Sequence, residues 1–148
     1  MKVLSFNCQG LVSPFKKSSL KCLVLKTKSE VIFLQETMGP NEVIKGVLLY
    51  LFPGWDFVVL DAKGRSGGVA TGWRVASCRL LNSWGSDFCL GIDVYFQELS
   101  VEFQILNVYD PYLNREVYWD KVFSSSLLRH DMVILGGDLN FSLGSVES

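Results

Sequence analysis

The chain has 148 residues, 49% hydrophobic and 20% charged, with a mean hydropathy of +0.26, which excludes a disordered chain and fits one globular domain. A formal net charge of −1 and a pI near 5.8 exclude a general, charge-driven nucleic-acid binder, but not a phosphodiester substrate met through a divalent cation. No apolar run approaches the roughly 18 residues that span a bilayer, and "MKVLSFNCQG" turns polar too early for a signal peptide, so an intracellular protein with no membrane segment is expected.

In chain order, "KVLSF" (2–6) reads as a first strand. Ser13-Pro14 then sets a cap before a proline at the first helical position, and Leu20, Leu23, Val24 and Thr27 recur on one face of the helix that follows. Lysines 2, 16, 17, 21, 26 and 28 fall mostly on this helix and read as its solvated face rather than as a phosphate-binding stripe. "VIFLQ" (31–35) is the second strand, and a second helix over about 41–51 is stopped by Pro53-Gly54.

Strands then follow in succession: "WDFVVL" (55–60), "GVATGW" (68–73), "VASCRLLNSW" (75–84), "FCLGIDVYF" (88–96) and "VEFQILNVY" (101–109). "GRSGG" (64–68) suits a tight turn, and the polar break "QELS" (97–100) makes 88–109 an antiparallel hairpin. A third helix starts at Asn114 and runs through "REVYWDKVFSSSLL", before "MVILGG" (132–137), which reads as a buried central strand. So many consecutive strands exclude a purely parallel sheet, and the α+β expectation is a mixed sheet or sandwich with flanking helices, in one domain. Cys8, Cys22, Cys78 and Cys89 are scattered, with no C-x-x-C pair, and read as buried, reduced thiols.

Four apolar runs end on polar residues: Asn7, Glu36, Tyr109, and Asp138 with Asn140. Loops after strand ends are where a rigid scaffold presents reactive groups to solvent. Taken singly, each has a plainer reading: Asn7, Asp138 and Asn140 as turn residues, Glu36 as surface, Tyr109 as a partly buried aromatic. If the ends converge, two carboxylates, two amides and a phenol suit a hard divalent cation with oxygen ligands, and not zinc. Asp138 and Asn140 lie two apart, so in extended chain both face one side.

The segments "SFNCQGL", "FLQET", "GRSGGVATGW", "LNVYDP" and "GGDLNF", in that order, resemble the endonuclease/exonuclease/phosphatase (deoxyribonuclease I-like) superfamily, and within it the endonuclease domain of plant LINE-type (non-LTR) retrotransposons. The resemblance implies a four-layer α/β/β/α sandwich, incomplete at the C-terminus, with residues 1–148 forming about two thirds of a single domain. It also implies a Mg2+ (or Mn2+) phosphodiesterase site in a nuclear protein that nicks DNA, fused in full-length relatives to a reverse transcriptase. Glu36 would ligate the metal with Asn7 and Asp138 beside it, and Asp138 would also orient or deprotonate the attacking water. Asn140 and Tyr109 would contact the scissile phosphate, and Arg65 in "GRSGG" would reach the nucleic-acid backbone, although a solvated turn arginine is the plainer reading.

Two features depart from the family. Tyr112 follows Pro111 where relatives often carry asparagine, and no Ser-Asp-His motif occurs in the sequence. His130 lies eight residues before Asp138, about 26 Å in extended chain, too far to serve as the base. A catalytically inactive remnant or binding module, and a phosphatase acting on a small phosphate ester, are therefore alternative expectations.

Overall fold

A computed structural model of the protein describes residues 1–61, 67–86, 89–109 and 132–138, with Tyr109 and Asp138 described by their backbone. Two four-stranded mixed sheets form a sandwich. The first has the order β1 (Val3–Asn7), β2 (Val31–Gln35), β4 (Val69–Arg74), β3 (Trp55–Leu60). The second has the order β5 (Cys78–Gly85), β6 (Cys89–Phe96), β7 (Val101–Tyr109), β8 (Val133–Asp138). Each sheet contains one parallel pair, β1–β2 and β7–β8, and its other pairs are antiparallel.

The continuous apolar run of β2 follows from its position. Ile32 and Leu34 face the core shared with Leu20 and Val24 of helix α1 (Pro14–Thr27) and with Ile44 and Leu48 of α2 (Asn41–Leu51). Val31 and Phe33 face the opposite way, into the inter-sheet core with Trp73, Ile92, Val94, Phe96 and Ile105. With both faces covered, no position is left for alternating polar residues. Helix α1 starts with Pro14 after Ser13, as expected, although the Ser13 side chain makes no capping bond, and it ends on Lys28 in the left-handed region (φ 52°). Helix α2 ends where the Phe52 N–H donates to Leu48 O, just before Pro53-Gly54.

Within the described residues the expected elements are present, with four corrections. Val75–Ser77 form a turn, so β5 starts only at Cys78. β1 extends to Asn7 and β8 to Asp138, each one residue beyond its apolar run. Among the described residues β8 is the last strand of its sheet rather than a central one, pairing only with β7, and Val133 and Leu135 stay more than a third exposed. An apolar run is buried only where elements lie on both sides of it. Finally, three cysteines are buried as expected, but Cys22 is exposed on the outer face of α1.

The third helix, with the outer layer it would form, His130 and the Gly64–Ser66 part of "GRSGG" lie outside the described residues. No described helix is long and apolar enough to cross a membrane.

Candidate active site

Parallel strands end at the same edge of their sheet. The last rung of β1–β2 pairs Asn7 with Gln35, and that of β7–β8 pairs Tyr109 with Asp138. The two parallel pairs face each other across the sandwich: Ile134 packs into the inter-sheet core, and a Cβ on Gly136 would meet the Phe33 ring at 2.6 Å. The backbone thus brings four strand ends to one edge, with Glu36 one residue past β2.

Asn7 and Glu36 are joined directly, Asn7 Nδ2 donating to Glu36 Oε2. The same amide's Oδ1 accepts from the Gln9 N–H at 3.1 Å. Asn7 is therefore a turn former and a partner of the Glu36 carboxylate at once, its turn bond fixing the amide that holds the carboxylate. Glu36 sits in the left-handed region (φ 52°), as do Gln9 (48°) and Met38 (53°) in the loops beside it. Such backbone costs on the order of 1 kcal/mol per non-glycine residue and persists only where neighbours hold it in place.

Two loops hold it. From one side Cys8 N–H donates to Gln35 O (2.8 Å), Gly10 N–H to Glu36 O (2.9 Å) and Leu11 N–H to Thr37 O (3.2 Å). From the other, Thr37 N–H donates to Gly68 O (3.3 Å) and Met38 N–H to Gly67 O (2.6 Å). Gly67 must be glycine, because its φ is +69° and a Cβ would lie 3.2 Å from Glu36 Cα. Gly67 thus packs against the acid, and Gly68 holds the residue after it.

The donor chemistry fits a hard cation. Glu36 is half-buried with one oxygen engaged by a neutral amide, so its other oxygen can serve as a single ligand to an ion that keeps several waters. Among the described residues no group of three His, Cys, Asp or Glu gathers as a self-contained metal cage. Cys8, beside Asn7, is no nucleophile: burial pushes its thiol up to about 12, Glu36 adding to the shift and Lys16 opposing it.

Beneath the site lies a buried polar layer that the sequence reading missed. Gln35 Nε2 donates to Ser5 Oγ (3.2 Å) and to Asn107 Oδ1 (3.5 Å). Asn107, fully buried, donates from Nδ2 to Ala70 O (2.9 Å), Thr71 Oγ1 (3.3 Å) and Leu34 O (3.4 Å). The available signal was a polar residue inside an otherwise apolar strand, two before Tyr109 and so on the same face of the chain. Thr37 Oγ1, next to Glu36, is buried with no hydrogen-bond partner among the described residues. Asn140 and Arg65 lie outside the described residues, as do the side chains of Tyr109 and Asp138.

A family model, the Endonuclease/Exonuclease/phosphatase family, matches residues 4–148. Solved structures share the architecture. A humanized D. rerio TDP2 superposes with a TM-score of 0.68 at 18% identity, over 98% of this chain and 64% of that one. A mannosyl-6-phosphatase from Bacteroides thetaiotaomicron gives 0.71 at 14%, over 93% and 64%. An AP endonuclease from Archaeoglobus fulgidus gives 0.70 at 17%, over 95% and 57%. D. rerio TDP2 is also known complexed with single strand DNA product. The chain thus spans less than two thirds of the length of these structures. No curated protein matches it in sequence.

Proposed function

The chain belongs to the endonuclease/exonuclease/phosphatase family, and from that premise we propose that it is a Mg2+-dependent phosphodiesterase that nicks DNA, of the LINE-type retrotransposon kind. The observation that carries this reading is the Asn7–Glu36 contact at the shared ends of two parallel strand pairs. Members of the family generally use divalent metal ions, and a carboxylate bonded by an amide, on backbone held by two loops, is suited to that use. Glu36 ligates Mg2+ or Mn2+ with Asn7 and Asp138 beside it. Asp138 orients or deprotonates the attacking water, Tyr109 and Asn140 contact the phosphate, and Arg65 reaches the nucleic-acid backbone. When bound, the ion supplies charge for the phosphate and polarises a water. The residues that hold it supply orientation. In a full-length relative this domain would precede a reverse transcriptase and work in the nucleus.

The test is nicking of supercoiled plasmid with Mg2+. Wild-type chain should relax it, and Glu36→Ala and Asp138→Ala should each abolish the activity. Nicking that survives both substitutions overturns the assignment. No turnover even at high protein concentration assigns the chain instead to an inactive remnant or a binding module. A phosphatase acting on a small phosphate ester is the second reading, supported by the structural likeness to the mannosyl-6-phosphatase and by the net charge of −1, which gives a long polyanion little to bind. Faster cleavage of sugar phosphates than of plasmid would select it.

A further inference from the structure

We infer that Asn107 is a positioning residue that ties the two sheets together beneath the strand ends and so fixes the Glu36 carboxylate relative to the Tyr109–Asp138 rung. The inference rests on the reading of Glu36 as a metal ligand and adds to it a determinant of where that ligand stands. Asn107 belongs to β7 in the second sheet, yet among the described residues its side chain bonds to the first sheet, to Leu34 O and Gln35 of β2 and to Ala70 O and Thr71 Oγ1 of β4. Leu34 and Ala70 are themselves register partners, so the amide sits over the β2–β4 seam. On its own sheet Asn107 pairs with Gly136 of β8. The next residue, Gly137, approaches so closely that a Cβ there would come within 2.9 Å of Asn107 Oδ1, and φ +116° independently requires glycine. Four strands therefore meet at one amide.

Three of these strands lead to the site within two residues. Gln35 is followed by Glu36, Asn107 is two residues before Tyr109, and Gly136 is two before Asp138. The inter-sheet core includes Val31, Phe33, Ile105 and Ile134, whose apolar packing is non-directional. Hydrogen bonds are directional, since they weaken steeply with angle and distance. A primary amide also supplies what this place needs, two N–H donors for oxygens of the opposite sheet and one acceptor for Gln35, on a stem short enough to clear Gly137. Aspartate lacks the donors, and leucine, of similar size, lacks everything but shape.

The experiment uses the full chain with Mn2+ as the probe, and reads both Mn2+ affinity by electron paramagnetic resonance and the Asn7 side-chain amide resonance by NMR, at a temperature where every variant is folded by circular dichroism. Asn107→Leu should weaken Mn2+ binding at least fivefold and move the Asn7 Nδ2 resonance toward its free position. Thr71→Val, which removes one partner and keeps the shape, should move both in the same direction by about twofold or less in affinity. A lower Tm with Mn2+ affinity and Asn7 resonance unchanged makes Asn107 merely structural and overturns the inference. If Asn107→Leu does not fold, Thr71→Val decides alone, and two unchanged readouts overturn it. Glu36→Gln is the control: if it binds Mn2+ like the wild type, or the wild type does not bind, the metal reading fails. The Asn7 resonance in the Asn107 and Thr71 variants then decides the positioning role by itself.

Discussion

The two parallel strand pairs are alike in their ends and different in their surroundings. β1–β2 ends on Asn7 and Gln35, with Glu36 next, while β7–β8 ends on Tyr109 and Asp138. "VIFLQ" and "VILGG" are nearly equal in hydrophobicity, yet all five residues of β2 are buried, whereas β8 leaves Val133 and Leu135 37% exposed. β2 has a strand on each side, helices on one face and a sheet on the other. β8 has a partner on one side only among the described residues. The carboxylate after β2 is held from two sides by the loops of Cys8–Leu11 and Gly67–Gly68. Delivering an acid to an edge thus takes only a strand end, but holding it there takes neighbours.

The sharpest test of that contrast is Phe33→Ala in β2, which should cost about 3–5 kcal/mol because a fully buried ring against Gly136 and the inter-sheet core is lost. Urea unfolding measures it, and a cost near zero would mean that the inter-sheet core is misplaced. Gly137→Ala should come next, at roughly 2–3 kcal/mol, since its Cβ would stand 2.2 Å from Val108 O in backbone at φ +116°. Asn7→Ala removes the amide between Gln9 and Glu36 and should cost about 1–2 kcal/mol in stability. The same variant should slow plasmid nicking at least tenfold, so the two effects can be separated. Leu135→Ala, at the exposed edge, should cost less than about 1 kcal/mol. A cost equal to that of Phe33→Ala would erase the distinction between the strands.

The smallest effect at neutral pH concerns Cys78 and Cys89, which open β5 and β6. Burial pushes both thiols from 9.0 up to about 11, Glu30 adding to the shift at Cys78 and the Ser86 hydrogen bond opposing it at Cys89. Because the folded value lies above the unfolded one, their contribution is complete below pH 9 and is lost as pH rises toward 11. Stability measured from pH 7 to 11 should fall only in the upper half of that range, and Cys78→Ala with Cys89→Ala should flatten the fall.

Much of this was legible in the sequence because it rests on short-range pattern. The run "VIFLQ" identifies a strand, Ser13-Pro14 a helix start, and "QELS" a hairpin whose strands pair in register from Cys89↔Val108 to Phe96↔Val101. Asn7 and Glu36 stood out as polar residues at strand ends, and their contact joins residues 29 apart in the chain. Asn107 did not stand out, because its partners at Leu34 and Ala70 lie 73 and 37 residues away. A polar residue within an apolar strand reads as an irregularity until the opposite sheet is known.

The sequence by itself determined which of the described segments are strands and helices, that they build an α+β fold, and which polar residues end its apolar runs. Those properties follow from side-chain period, turn chemistry and composition, all local to a few residues. Only the tertiary structure decided that β2 lies between two strands while β8, among the described residues, pairs with β7 alone, that Glu36 adopts left-handed backbone clamped by two loops, and that one buried amide joins the sheets beneath it. These depend on which distant strands become neighbours, and burial, strain and hydrogen bonding are properties of neighbours rather than of residues.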